Sequence, residues 1–134
     1  NNLQSAMTGD NRGHSRHAER RVLAEIVQKH QAGTLARPLV LVGHSLGGNA
    51  VTRIATALHQ RGIQVDYLAV VDAPAPLPIP PNVAKVDNFL STASFVGRRL
   101  SRGETIMVQG VGHVALGNHP TVQRRIMQQA GRTT

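Results

Sequence analysis

Residues 38–51 read PLVLVGHSLGGNAV, and this stretch indicates the fold class of the chain. The apolar run 39–42 predicts a buried strand, and an amphipathic helical pattern begins a few residues later. Between them lies a Gly-x-Ser-x-Gly turn centred on Ser45. A sharp reversal from strand into helix needs small residues two positions before and two positions after the serine, and Gly43 and Gly47 meet that need. The pattern therefore predicts a corner from which the Ser45 hydroxyl projects as a nucleophile.

The Gly-x-Ser-x-Gly pattern is weak evidence by itself, because a chain of this length shows it by chance about one time in twenty. The alternative interpretation is a glycine-rich turn with an inert serine. The buried-strand run before the turn and the amphipathic helix after it favour the nucleophile.

Composition and length limit the classes of protein that the chain can belong to. A length of 134 residues suits one domain, and only 2% of the residues are aromatic, so the core must use Val, Leu, Ile and Ala. The absence of cysteine excludes disulfides, thiol nucleophiles and cysteine metal sites. No apolar run reaches the ~18 residues of a membrane span, and no secretory signal is visible, which leaves the compartment open. Since the first residue is Asn1, we expect a fragment or a processed form.

The chain is strongly basic, with a net charge of +8. Such a charge attracts nucleic acids or anionic surfaces, so a basic binding protein is one hypothesis. The arginines are scattered, however, and only one Tyr and two Phe are present to stack on bases. These features favour a solvated basic surface, and we do not expect a nucleic-acid partner.

The pattern of helices and strands predicts one α/β domain. Residues 1–16 are polar and without periodicity, which predicts a flexible N-terminal segment, and residues 17–134 form the domain. Helices are predicted at 18–31, 46–60 and from about 119, and strands at 39–42, 66–71, 83–90 and 105–108. Alternating strands and helices imply a mostly parallel sheet with flanking helices.

Three reactive residues each follow a predicted strand: Ser45, Asp72 and His113. The carboxyl ends of parallel strands share one edge of the sheet, where ligands bind. A serine hydroxyl becomes a nucleophile when a base takes its proton and a carboxylate orients that base. The chain order serine, aspartate, histidine is the order expected after a nucleophile turn.

Alternatives remain for two of these roles. His119 is a second candidate for the base, although its place before a proline is typical of a helix start, and Asp87 is a second candidate for the acid. Asp72 could instead cap the turn that follows it. His44 lies next to the nucleophile on a sharp turn, which favours a packing or hydrogen-bonding role. The histidines show no paired spacing with carboxylates that suggests a metal site, and we expect no metal and no cofactor.

The helix that begins at Leu46 directs its N-terminus toward the nucleophile, where its dipole favours developing negative charge. The backbone N–H of Leu46 is therefore the predicted oxyanion donor. A second donor usually comes from a loop after an earlier strand. No strand is evident before Pro38.

On these residues the chain resembles the α/β-hydrolase superfamily, specifically the lipase, esterase and thioesterase-like serine hydrolases with a GHSLGG turn. The segment GVGHVALGNHPTVQRRIMQQ at 110–129 is similar to the family's histidine loop and last helix. The resemblance implies Ser45 as nucleophile, His113 as base, and Asp72 or Asp87 as acid. Because the family usually has strands ahead of this turn, the chain resembles the C-terminal part of the fold.

The expected activity is hydrolysis of carboxylic esters or thioesters, of small molecules or lipids, through an acyl-enzyme. The alternative is a weakly active or inactive relative that uses the fold as an interaction module. The proline-rich loop 73–81 either borders an acyl pocket or simply packs. Neither the acyl specificity nor the oligomeric state follows from the sequence.

Overall fold

The computed structural model describes residues 5–8 and 12–132. In chain order the elements are β1 (Ser5–Thr8), α1 (Arg12–Ala32), β2 (Val40–His44), α2 (Leu46–Gln60), β3 (Val65–Val71), β4 (Val83–Ser91), β5 (Glu104–Val108), α3 (His113–Leu116) and α4 (Pro120–Arg132). Within this part of the chain the five strands form a single sheet in the order β1-β2-β3-β4-β5. Every neighbouring pair is parallel. The predicted α/β architecture with a parallel sheet is confirmed.

The strand register aligns the carboxyl ends of the central strands. His44 of β2 pairs with Val71 of β3, and Val71 pairs with Phe89 of β4. The residues that follow β2 and β3 therefore emerge side by side at one edge of the sheet, which we call the carboxyl edge.

Helices cover both faces of the sheet because successive strand residues point to opposite sides. Leu41 and Leu68 belong to a buried cluster with α1 and α2. Their neighbours Val40 and Tyr67 belong to a second buried cluster with α3 and α4. This two-sided burial explains the continuous apolar runs that predict β2 and β3 from the sequence.

The N-terminal segment differs from the sequence-based expectation. The structure has strand β1 inside the range 1–16, and α1 begins at Arg12, several residues before the predicted start. Residues 5–8 form a strand because they pair with β2, from Ser5 opposite Leu41 to Thr8 opposite His44. The short sequence itself does not predict this strand. A strand therefore does precede the nucleophile turn, contrary to the expectation of none. The division into a flexible segment and a domain at residue 17 stays a prediction.

The remaining elements follow the predicted positions closely, with one addition. The short helix α3 (His113–Leu116) is not predicted from the sequence, because a single turn shows no periodicity. In the described residues, no helix combines the length and the apolar character that crossing a bilayer would require.

A buried carboxylate links the sheet to the last helix. Asp87 on β4 is 1% exposed and accepts hydrogen bonds from the Tyr67 hydroxyl at 2.7 Å and from Arg125 Nε at 2.9 Å. Burial, followed by the hydrogen bond to Asp87, raises the pKa of Tyr67, so this phenol stays protonated and donates. The hydrogen bond to Asp87 also raises the pKa of Arg125. Asp87 therefore has a structural environment that joins α4 to the centre of the sheet.

This arrangement makes a prediction for stability. Arg125→Met leaves the buried Asp87 carboxylate with Tyr67 as its remaining partner, which should lower the free energy of unfolding by about 2 kcal/mol. Urea denaturation of the two proteins measures the difference. The neighbouring exposed Arg124 provides the control, since Arg124→Met should change stability by less than about 0.5 kcal/mol. Equal effects of the two substitutions would contradict this account of α4.

Candidate active site

The turn between β2 and α2 holds Ser45 in a backbone conformation that non-glycine residues rarely adopt, with φ 61° and ψ −124°. Two backbone hydrogen bonds secure it: Ser45 N–H donates to the Val71 carbonyl at 2.9 Å, and the Ser45 carbonyl accepts from Gly48 N–H at 2.9 Å. Such strain costs on the order of 1–3 kcal/mol and persists only where the surrounding structure imposes it. The corner therefore presents Ser45 at the carboxyl edge.

Close packing around the turn explains two of its glycines, Gly43 and Gly48. A Cβ atom on Gly43 would overlap the carbonyl group of Gly47, so any side chain at 43 would separate β2 from α2. Gly48 is equally restricted, because its Cβ would lie 2.7 Å from the Cβ of Ala73. The turn pattern predicts the need for Gly43 and Gly47 but gives no sign of the restriction at Gly48. The available signal was the third glycine of the GHSLGG run.

Three of the predicted site residues come together at this edge. His113 Nε2 lies 2.7 Å from Ser45 Oγ, and His113 Nδ1 lies 2.6 Å from Asp72 Oδ2. The Asp72 side chain is 1% exposed and that of His113 is 25% exposed. An ionised Asp72 accepts from Nδ1–H, which leaves Nε2 able to accept the Ser45 proton. The arrangement is that of a nucleophile, a base and an acid in one hydrogen-bonded chain.

The structure does not bring the alternative residues to Ser45. Asp87 pairs with Ala69 in the interior of the sheet and does not reach the carboxyl edge. Its carboxylate is bound there, in the interior, by Tyr67 and Arg125. His119 Nδ1 accepts a hydrogen bond from the backbone N–H of Thr121 at 3.2 Å, at the start of α4. Both residues have local structural contacts instead.

His44 contacts His113. Its Nε2 donates to the backbone carbonyl of His113 at 2.8 Å, and the two imidazole rings lie 5.1 Å apart. Gly117 lets the ring approach α3, since a Cβ there would lie 3.0 Å from His44 Nδ1. His44 thus has the hydrogen-bonding environment that its place in the turn suggests.

The loop that carries His113 is tied to the end of β4. The Ser91 hydroxyl donates to the Val111 carbonyl, Thr92 N–H donates to the Val108 carbonyl at 3.0 Å, and Gly110 N–H donates to Thr92 Oγ1 at 3.3 Å. These contacts hold the histidine loop close to the carboxyl edge. No local sequence signal points to these roles of Ser91 and Thr92, because their partners in the histidine loop are 16 or more residues away.

The proline-rich loop 73–81 packs against α2. Ala75 N–H donates to Asn49 Oδ1 and Leu77 N–H donates to Thr52 Oγ1, both at 2.9 Å. Ala73 and Ile79 are buried in the core cluster of the α1–α2 face. Of the two sequence-based interpretations, these contacts favour packing.

Comparison with known proteins identifies the family. Residues 3–83, well over half of the chain, match the Thioesterase domain family. The chain belongs to the thioesterase domain family. The match includes the nucleophile turn and Asp72 and ends before His113, and no curated protein gives a significant match.

Solved structures agree with the fold of this thioesterase domain. Human thioesterase 2 has a TM-score of 0.65 at 13% identity, covering 98% of this chain and 96% of that chain. The type II thioesterase BorB from the borrelidin biosynthetic cluster has a TM-score of 0.63 at 13% identity, covering 87% and 70%. RedJ, a thioesterase of the prodiginine pathway in Streptomyces coelicolor, has 0.59 at 13%, covering 84% and 70%. At these identities the likeness concerns the α/β-hydrolase fold.

The electrostatics of the thioesterase domain near Ser45 favour a developing anion. Helix α2 begins at Leu46, directly after the serine, and its first turn contains no acidic residue. The N–H groups of Leu46 and Gly47 precede the first hydrogen bonds of the helix, which Gly48 and Asn49 donate to the Ser45 carbonyl, and the helix dipole is positive there. In the part of the chain that the structure describes, no three His, Asp or Glu side chains are grouped so that they could hold a metal ion.

The glycine packing makes a prediction. Gly43→Ala forces β2 and α2 apart and should lower the free energy of unfolding by about 2 kcal/mol, as overpacking of a filled site does. It should also displace Ser45 and reduce its reactivity. Gly131→Ala is the matched control, because a Cβ there meets nothing within 4 Å and alanine favours helix. Urea denaturation of both variants checks the expectation, and equal stability would contradict the packing argument.

Proposed function

We propose that this thioesterase domain hydrolyses esters or thioesters through an acyl-enzyme on Ser45. The single observation that supports the proposal most is the continuous pair of hydrogen bonds from Ser45 to His113 and from His113 to Asp72. Both lie at the carboxyl edge of a parallel sheet, where this class of fold binds ligands.

In the first step Ser45 Oγ attacks the carbonyl carbon of the substrate while its proton passes to His113 Nε2. A bond forms between Oγ and carbon, and the carbonyl oxygen takes the negative charge. The proton on Nε2 then passes to the leaving thiolate or alkoxide as its bond to carbon breaks, which leaves the acyl group on Ser45. Asp72 stays ionised and holds the imidazolium that forms between these transfers.

In the second step a water molecule replaces the leaving group. His113 Nε2 takes a proton from that water, whose oxygen attacks the acyl carbon. The proton returns to Ser45 Oγ as the acyl–oxygen bond breaks, releasing a carboxylic acid and the free serine. Each transfer uses the same nitrogen, which lies within hydrogen-bonding distance of Ser45 Oγ.

Negative charge on the carbonyl oxygen requires donors that are already in place. We assign one to the backbone N–H of Leu46, which follows the nucleophile at the N-terminus of α2. Strand β1 ends at Thr8, opposite His44 and next to the turn. The chain that continues from it, residues 9–11, lies outside the described residues.

Two exposed apolar residues directly follow residues of the site in the sequence, and we propose on this basis that the acyl group is apolar. Phe95 is 89% exposed and directly follows Ser94, whose hydroxyl donates to Asp72. Val114 is 75% exposed and directly follows His113. Apolar surface beside a reactive group provides area that an acyl chain can cover.

The charge of the chain supports a solvated basic surface over a nucleic-acid interface. Several arginines are engaged within the protein: Arg53 binds Glu19 at 2.7 Å, Arg37 binds Asp66 at 3.0 Å, and Arg125 binds Asp87 at 2.9 Å. Arg102 donates to backbone carbonyls of the loop before β4 and of β4 itself. We therefore assign no nucleic-acid partner.

The nucleophile can be tested by covalent labelling. A fluorophosphonate probe should modify Ser45 in the wild-type protein, and Ser45→Ala should remain unlabelled, because the adduct forms on an activated serine oxygen. His113→Gln should lower the labelling rate by about three powers of ten. Mass spectrometry of the labelled peptide identifies the site. A folded wild-type protein that does not react would favour the non-catalytic interaction module instead.

The acid can be tested by paired substitutions. Asp72→Asn should lower kcat by about four powers of ten, since an amide in that position favours the wrong histidine tautomer. Asp87→Asn alters the structural network of α4 and should lower kcat per folded molecule by less than about tenfold. Steady-state hydrolysis of an aryl ester and an acyl thioester, corrected for the folded fraction by circular dichroism, gives both values. A larger loss for Asp87→Asn would reverse the assignment.

A further inference from the structure

The acid of the site has a second hydrogen-bond donor that the mechanism above does not use. Ser94 Oγ donates to Asp72 Oδ2 at 2.7 Å, and this is the same oxygen that lies 2.6 Å from His113 Nδ1. The other oxygen, Oδ1, is buried and has no hydrogen-bond partner among the described residues. The hydrogen bonds to the carboxylate are thus concentrated on the oxygen that faces the base.

The segment that carries Ser94 packs closely against residue 72. A Cβ atom on Gly97 would overlap Asp72 Oδ1 and would lie 2.8 Å from the Asp72 Cα. Arg98 N–H donates to the Ala73 carbonyl at 2.9 Å, and the Arg98 carbonyl accepts from Asn88 Nδ2 at 2.9 Å. Residues 94–98 therefore contact Asp72 on both carboxylate oxygens and are anchored to the strand beside it.

An aspartate carboxylate needs such restraints because its terminal torsion is broad and does not by itself select one orientation. Asp72 also has a positive φ of 53°, so its backbone leaves the strand direction at this residue. A charge-assisted hydrogen bond from a hydroxyl to Oδ2 fixes the rotation of the carboxylate. With Oδ2 fixed, Nδ1–H remains its donor, and Nε2 remains the nitrogen that faces Ser45.

We propose that Ser94 is a positioning residue of the active site, which holds the Asp72 carboxylate in the orientation that keeps His113 in its reactive tautomer. This inference rests on the proposed serine-hydrolase function. It adds a fourth side chain to the hydrogen-bonded series, in the order Ser94, Asp72, His113, Ser45. Ser94 acts on the reaction only through Asp72.

A purely structural role is the competing explanation. Ser94 Oγ also accepts a hydrogen bond from Val96 N–H at 3.2 Å, so the hydroxyl stabilises its own loop. The two roles differ in what they require: loop stabilisation affects folding and substrate binding, whereas positioning of Asp72 affects the rate of the chemical steps.

The kinetic test uses two substitutions of nearly equal shape, Ser94→Thr and Ser94→Val. Threonine keeps a hydroxyl that donates to Asp72, whereas valine does not. Ser94→Val should lower kcat about tenfold with KM changed by less than about twofold, the loss expected for one hydrogen bond to a charged group. Ser94→Thr should restore most of this loss. Equal kcat values for the two variants would overturn the proposal.

The control is a serine with a comparable structural contact away from Asp72. Ser101 Oγ accepts a hydrogen bond from Ile79 N–H at 2.8 Å, so Ser101→Ala removes a loop contact and should leave kcat unchanged. If Ser94→Val fails to fold, Ser94→Ala takes its place, because it removes the hydroxyl without adding volume.

A readout independent of turnover separates this proposal from the proposed function. In Ser45→Ala protein, the proton between His113 Nδ1 and Asp72 should give a far-downfield proton NMR resonance. Adding Ser94→Val should shift or broaden it, and adding Ser94→Thr should not. Such a shift, together with a wild-type protein that shows no hydrolase activity, would support the role of Ser94 and refute the hydrolase assignment. If the wild type is active but Ser94→Val changes neither the resonance nor kcat, the role of Ser94 alone is refuted.

Discussion

Two backbone hydrogen bonds between parallel strands set the geometry of the site. Ser45 N–H donates to the Val71 carbonyl, and Asp72 N–H donates to the Phe89 carbonyl, each at 2.9 Å. They continue the ladders of β2–β3 and β3–β4 by one residue, so Ser45 and Asp72 leave the sheet beside each other. Because register in a buried sheet is strongly specified, the core also fixes this neighbour relation.

Both residues have a strained backbone conformation in these positions. Ser45 and Asp72 have positive φ angles of 61° and 53° at the ends of adjacent strands. The surrounding packing holds them there: Gly43 admits the backbone of α2 next to the turn, and Gly97 admits the segment 94–98 next to Asp72. Strain at reactive residues, held by close backbone contacts around them, is typical of preorganised sites.

Much of the fold can be predicted from the sequence because its signals are local. The run 39–42 and the helical periodicity after Leu46 predict β2 and α2 at nearly their observed bounds. Strand β1 could not be predicted, since Ser5–Thr8 is short and forms a strand only by pairing with residues 36 positions away. The three-residue site could be proposed from strand ends and chain order, but the choice between Asp72 and Asp87 could not be made.

The sequence by itself predicts the Gly-x-Ser-x-Gly turn, the α/β class and the candidate acids and bases, because each prediction follows from local patterns and their order along the chain. Only the tertiary structure decided which candidates meet. Asp87 is bound by Tyr67 and Arg125, residues 20 and 38 positions away, while Ser94 reaches Asp72 across 22 positions. Such contacts depend on strand register and loop path, which carry no signature in a single sequence.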